Sequence, residues 1–97
     1  MEVVFSEKAE KQLQAILEYF CIRNHSSTYS ERLYDAILHK LRLIDHDMVI
    51  GVKTRRKNVY RLRVENYVIQ YRLYPDYLEV AAVFDARRNV RADRFGL

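Results

Sequence analysis

At 97 residues the chain has room for one domain with a single core, and a 49% apolar composition argues against a disordered chain. No apolar run approaches the roughly 20 residues that a membrane helix needs, and one cysteine, Cys21, excludes an internal disulfide and a thiolate-cluster metal site. The net charge of +4 is unevenly divided: residues 1–50 carry six Lys/Arg against eight Asp/Glu, and residues 51–97 carry eleven against five, nine of the eleven being arginine.

That asymmetry points to an anionic partner, nucleic acid or an acidic protein, because the planar fork of arginine suits phosphate and carboxylate. The N-terminus enters a strand-like segment directly, with no signal-peptide pattern, so the expected compartment is the cytosol. Residues 1–97 read as one domain, with no repeat, low-complexity stretch or linker.

Val3, Val4 and Phe5 suggest a short strand, followed by Ser6 as an N-cap with Glu7 in the first helical turn. Ala9, Leu13, Ile16, Leu17 and Phe20 then recur at helical spacing among polar residues, and 23–27 reads as a connection. In a second helix, Leu33, Ile37, Leu41 and Ile44 form one stripe. Residues 45–57 show no clear period and contain Gly51 and the basic run Lys53, Thr54, Arg55, Arg56 and Lys57. Three strands follow over roughly 58–64, 67–74 and 77–85. The fold class is therefore α+β, in the order β-α-α-β-β-β, with a helical hairpin packed on one face of a small, mainly antiparallel sheet.

Strand pairing follows from burying the apolar residues. With Glu65 and Asn66 as a two-residue loop, Val64 pairs with Tyr67, Leu62 with Ile69 and Tyr60 with Tyr71. A turn at Pro75 and Asp76 pairs Leu73 with Leu78, Tyr71 with Val80 and Ile69 with Ala82, and Phe84 extends the buried row. Arg61, Arg63, Gln70 and Arg72 fall on the opposite face, which Asp85 and Arg87 join by parity. A slip of one residue would bury arginines instead.

No glycine-rich phosphate loop, paired-histidine metal motif or serine-nucleophile motif is present. His25 in the helix connection, and His39 and His46 on or just after the second helix, are not expected to converge and read as surface residues, so no metal and no cofactor is expected. The arginine face is the candidate site: Arg61 and Arg63 two residues apart on one strand, Arg87 at the end of the last, and Arg55, Arg56 and Lys57 at the rim. Such a cluster suits a phosphate backbone. Arginine stays protonated and is a poor general base.

The order of elements, and the stretch VYRLRVENYVIQYRLYPDYLEVAAVFDARRN, resemble the RelE/ParE superfamily of toxins from bacterial type II toxin–antitoxin modules. The segment around Arg63, Asn66, Tyr67, Ile69 and Tyr71, followed by Val83, Phe84, Asp85, Ala86, Arg87 and Arg88, looks especially like ParE-type members. The resemblance implies a protein that arrests growth when free and forms a hetero-oligomer with a cognate antitoxin. RelE-like members cut messenger RNA at the ribosome, and ParE-like members inhibit DNA gyrase. Carried over, Arg61, Arg63 and Arg87 match the catalytic basic residues of the nuclease branch. Arg55, Arg56, Arg61, Arg63, Arg87, Arg88 and Arg91 are the candidate target-binding residues in either branch. Two departures bear on the choice: Val68 stands after Tyr67 where the nuclease pattern has a base, and no Tyr or His follows Arg87. Both favour gyrase, leaving an arginine-only messenger RNA nuclease and an inactive toxin-fold binding module as alternatives.

Overall fold

The computed structural model describes residues 1–87. Its elements are β1 (Glu2–Phe5), α1 (Glu7–Asn24), α2 (Thr28–Arg42), β2 (Val52–Lys53), β3 (Val59–Val64), β4 (Tyr67–Leu73) and β5 (Tyr77–Asp85). The sheet order is β1-β5-β4-β3-β2, with β1 parallel to β5 and the remaining neighbours antiparallel. Both helices lie on one face, as the sequence predicts. Among the described residues the sheet has one strand more than expected, because β2 is only two residues long and too short to show a period.

Ser6 caps α1: its Oγ accepts the Ala9 N–H at 3.1 Å, while its own N–H donates to the Val80 carbonyl at 2.9 Å. The start of the helix is thereby fixed to β5. Helix α1 runs two residues into the predicted connection, to Asn24, and is closed by His25, which takes a left-handed φ of 52°. The expected stripe is buried, Leu33, Ile37 and Leu41 on α2 and Ile44 two residues beyond the helix's end at Arg42. It packs with Ala9 and Leu13 of α1 against Leu62, Val64, Ile69, Tyr71, Leu78, Val80 and Val83 of the sheet. The tyrosines on this face serve the core. Tyr71 is fully buried and donates its hydroxyl to the Ile50 carbonyl at 2.6 Å, and Tyr67 meets Phe20 edge-to-face. Tyr74 and Tyr77 stack 4.6 Å apart beside the Pro75–Asp76 turn.

Gly51, with φ of 109°, lets the chain pass the Arg61 carbonyl, against which a β-carbon would clash. That passage brings Val52 opposite Arg61 and Lys53 opposite Tyr60.

The predicted β3–β4 register is observed in all three pairs, and so are Leu73 with Leu78 and Tyr71 with Val80. The next pair differs. Gln70 pairs with Ala82 and Ile69 with Val83, so Ala81 is an extra residue on β5. This β-bulge reverses the alternation beyond it. Val83 enters the core under the helices, Ala82 is buried opposite Gln70 on the other face, Phe84 stands opposite Val68, and Asp85 stands opposite Tyr67 on the helix side. Asp85 and Arg87 therefore do not join the arginine face. Sequence alone could not choose, because Val83 and Phe84 are both apolar and either alternation buries one of them.

Candidate functional site

The sheet separates the predicted site residues into two surfaces. On the face away from the helices, Arg61 and Arg63 project from β3 and Arg72 from β4. Arg61 is half-buried, not exposed as its predicted role requires, and its Nε donates to Gln70 Oε1 at 3.0 Å across the strand pair. Arg63 is exposed and donates Nε to the Glu65 carbonyl at 2.8 Å, which leans the guanidinium toward the β3–β4 turn.

Beside these lies the β2–β3 hairpin, whose tip carries Arg55, Arg56 and Lys57, all exposed. Thr54 shapes the tip. Its N–H and Oγ1 both donate to the Val59 carbonyl at 2.9 Å, its Oγ1 accepts the Arg56 N–H at 3.2 Å, and Asn58 closes the turn with φ of 62°. Because Val52 pairs with Arg61, β2 and β3 form the edge of the sheet that carries these arginines, with the tip at the Val59 end of β3 and Arg63 at the opposite end beside the β3–β4 turn. The cross-strand neighbours of Arg61 are Gln70 and Val52, and that of Arg63 is Val68. None of these can exchange a proton. Arg72 stands opposite Glu79.

Arg87 lies on the other side. Its N–H donates to Asp85 Oδ1 at 2.8 Å and its Nη2 lies 3.3 Å from Oδ2, so a tight turn and an ion pair hold the guanidinium over the end of β5. The Asp85 hydrogen bond, and then its charge, raise the Arg87 pKa further, leaving a fixed cation. The pair borders a groove of about 470 Å³ between α1 and the ends of β4 and β5. Ile16, Phe20 and Tyr67 give it an apolar floor and Arg23 supplies a second cation. The sequence reading missed this groove, since only the bulge brings β5's last residues to α1. Arg88 and Arg91 lie outside the described residues.

Two polar contacts brace the arginine-bearing hairpin. Tyr29 of α2 donates its hydroxyl to Glu65 Oε2 at 2.8 Å, and Lys40 donates to the Arg63 carbonyl at 3.0 Å. The Tyr29 pKa is pushed up to about 12 by burial first and by the Glu65 contact second. That of Tyr71 is pushed up to about 12 by burial first and by the neighbouring Tyr60 second. A folded-state pKa above the unfolded value of about 10 stabilises the fold fully below pH 10, and the contribution is lost as pH rises toward 12. Thermal melts should thus hold steady to about pH 10 and then fall, and Tyr71→Phe should flatten the fall.

His46, predicted as a surface residue, places Nε2 at 3.1 Å from the Tyr74 carbonyl and 3.2 Å from that of Pro75, tying the segment after α2 to the β4–β5 turn. Among the described residues, no three His, Cys, Asp or Glu side chains are grouped to hold a metal ion. Nor is any described helix long and apolar enough to cross a membrane.

The described geometry meets its relatives at two levels. Residues 3–90 match the family model described as the ParE toxin of the type II toxin–antitoxin system parDE. Among curated proteins no sequence relative matches. A solved structure titled "Chromosomal ParDE TA system from P. aeruginosa" superposes with a TM-score of 0.69 at 13% identity, covering 88% of this chain and 95% of that one. At that identity the likeness speaks for the fold, and the family match, spanning nearly the whole chain, speaks for the lineage. The chain belongs to the ParE toxin family of type II toxin–antitoxin systems.

Proposed function

We propose that this toxin arrests bacterial growth by binding DNA gyrase in the cytosol through the edge formed by Arg55, Arg56, Arg61 and Arg63, without cutting messenger RNA. The observation that carries this reading is the separation of the arginines. Strand cleavage by a ribose hydroxyl benefits from a general acid and base beside the scissile phosphate. Here Arg61 and Arg63 have Gln70, Val52 and Val68 as cross-strand neighbours, while Arg87 is paired with Asp85 on the far side of the sheet. Such an edge suits binding an acidic or nucleic-acid surface better than proton transfer.

The antitoxin that neutralises it would be a small protein whose helix or strand carries apolar side chains onto the α1–β5 groove and carboxylates toward Arg23 and Arg87. Together the two chains form a hetero-oligomer, and the antitoxin's release frees the toxin.

The test is induction of the chain in a bacterial host, with and without the protein encoded beside it, while messenger RNA is mapped for breaks. Arrest without codon-position cleavage, relieved by the neighbour, is expected. Cleavage in the ribosomal A site would move the assignment to a nuclease, and undisturbed growth would identify an inactive binding module.

A further inference from the structure

The bulge in β5 is held from α1. Strand β1 pairs with β5 only as far as Val80, so the next residues of β5 have no strand on that side. Helix α1 and its cap take over: Ser6 Oγ donates to the Ala81 carbonyl at 3.3 Å, and Gln12 Oε1 accepts the Val83 N–H at 2.8 Å. The second bond is specific to the bulge. In a regular antiparallel ladder continuing from Arg72 with Glu79, the Val83 N–H would turn toward Val68 of β4. Only the extra residue at Ala81 points it at α1, where Gln12 meets it.

The register decides more than one hydrogen bond. Without the bulge, Ala82 and Phe84 would fill the core row and Asp85 would pass to the arginine face, carrying the Arg87 turn with it. With the bulge, Val83 is buried, Asp85 stands opposite Tyr67, and the Asp85 carboxylate holds Arg87 at the groove. One residue in β5 thus sets the face on which a cation is displayed.

We propose that Gln12 is a positioning residue that fixes this bulge and so delivers the Asp85–Arg87 pair to the α1–β5 groove, where antitoxin docking depends on it. The inference rests on the antitoxin reading above. Gln12 also lines the groove, but its amide oxygen is engaged by the Val83 N–H, so its effect on docking runs through the bulge; the apolar floor and the two cations are the groups that meet the antitoxin.

The experiment compares wild type, Gln12→Met, which keeps the length of the side chain but removes the amide oxygen, and Gln12→Glu, which keeps an acceptor oxygen. Amide exchange at Val83 and the cross-strand contact of Ile69 are followed by NMR. Affinity for the purified, co-encoded antitoxin is measured for wild type and Gln12→Met. In Gln12→Met the Val83 amide should exchange at least about tenfold faster, an Ile69–Ala82 contact should appear, and antitoxin affinity should fall about tenfold. Gln12→Glu should keep the wild-type exchange and contact. An unchanged Val83 amide in Gln12→Met overturns the proposal, as does a disturbed register with undiminished antitoxin affinity. Failure of wild type to bind the antitoxin would instead strike the reading on which the proposal rests.

Discussion

Arg63→Glu should abolish growth arrest while leaving the fold intact. Arg63 is exposed and its hydrogen bond to the Glu65 carbonyl is exposed as well, so the substitution should cost no more than about 1 kcal/mol, or a melting shift within about 8 °C. The effect on target binding is larger. Reversing a charge that meets an acidic or phosphate surface removes a charge-assisted contact and adds repulsion, together about 2–5 kcal/mol, which is at least tenfold in affinity. Arg42→Glu makes the same change in net charge on exposed α2 and should leave arrest untouched. Growth curves paired with melting curves check both. Arg61→Glu is the poorer probe, because that side chain is half-buried against Gln70 and the variant would mix lost binding with lost stability.

Ile69→Ala should have the largest effect on stability. Ile69 is 0% exposed at the centre of β4, and the cavity left by its removal should cost about 2–5 kcal/mol. For a domain of this size that lowers the melting temperature by about 10 °C or more. Val68→Ala, one residue away but half-buried on the other face, should cost less than about 1.5 kcal/mol. Denaturant unfolding of the two variants measures the difference directly. Similar losses would contradict the assignment of faces in β4.

The contrast between these neighbours also shows why much of the sheet was readable from sequence. Along β3 and the start of β4, any slip would have turned Arg61 or Arg63 into the core, so hydrophobic burial alone fixed the pairing. The same held from Leu73 to Tyr71 against Leu78 to Val80. Legibility ended at Ala81, where the residues that follow, Ala82, Val83 and Phe84, are all apolar and the only charge, Asp85, stands at the strand's last position. The deciding interactions are Ser6 with the Ala81 carbonyl and Gln12 with the Val83 amide, which join residues 75 and 71 positions apart in sequence. No local pattern encodes contacts of that range.

The candidate site inherits the same division. The β3 arginines share the face that strand parity gives them, whereas the basic run at Arg55 and Arg56 sits on the β2–β3 hairpin tip, at the other end of β3 from Arg63. Arg87 was misplaced by one residue of bulge, and with it went the nuclease-like constellation of Arg61, Arg63 and Arg87. The groove beside α1 appears only once that error is corrected. Its polar member Gln12, one position before buried Leu13, was the available signal: a polar side chain bordering a helix's buried stripe invites the question of which backbone group it serves.

The measurement that bears most directly on the central claim is DNA supercoiling by gyrase in the presence of the purified chain. Wild type should inhibit the reaction, and Arg63→Glu should inhibit it at least tenfold less at equal concentration. Full supercoiling activity in the presence of a folded, growth-arresting wild-type toxin would contradict the account and send the search for its target elsewhere.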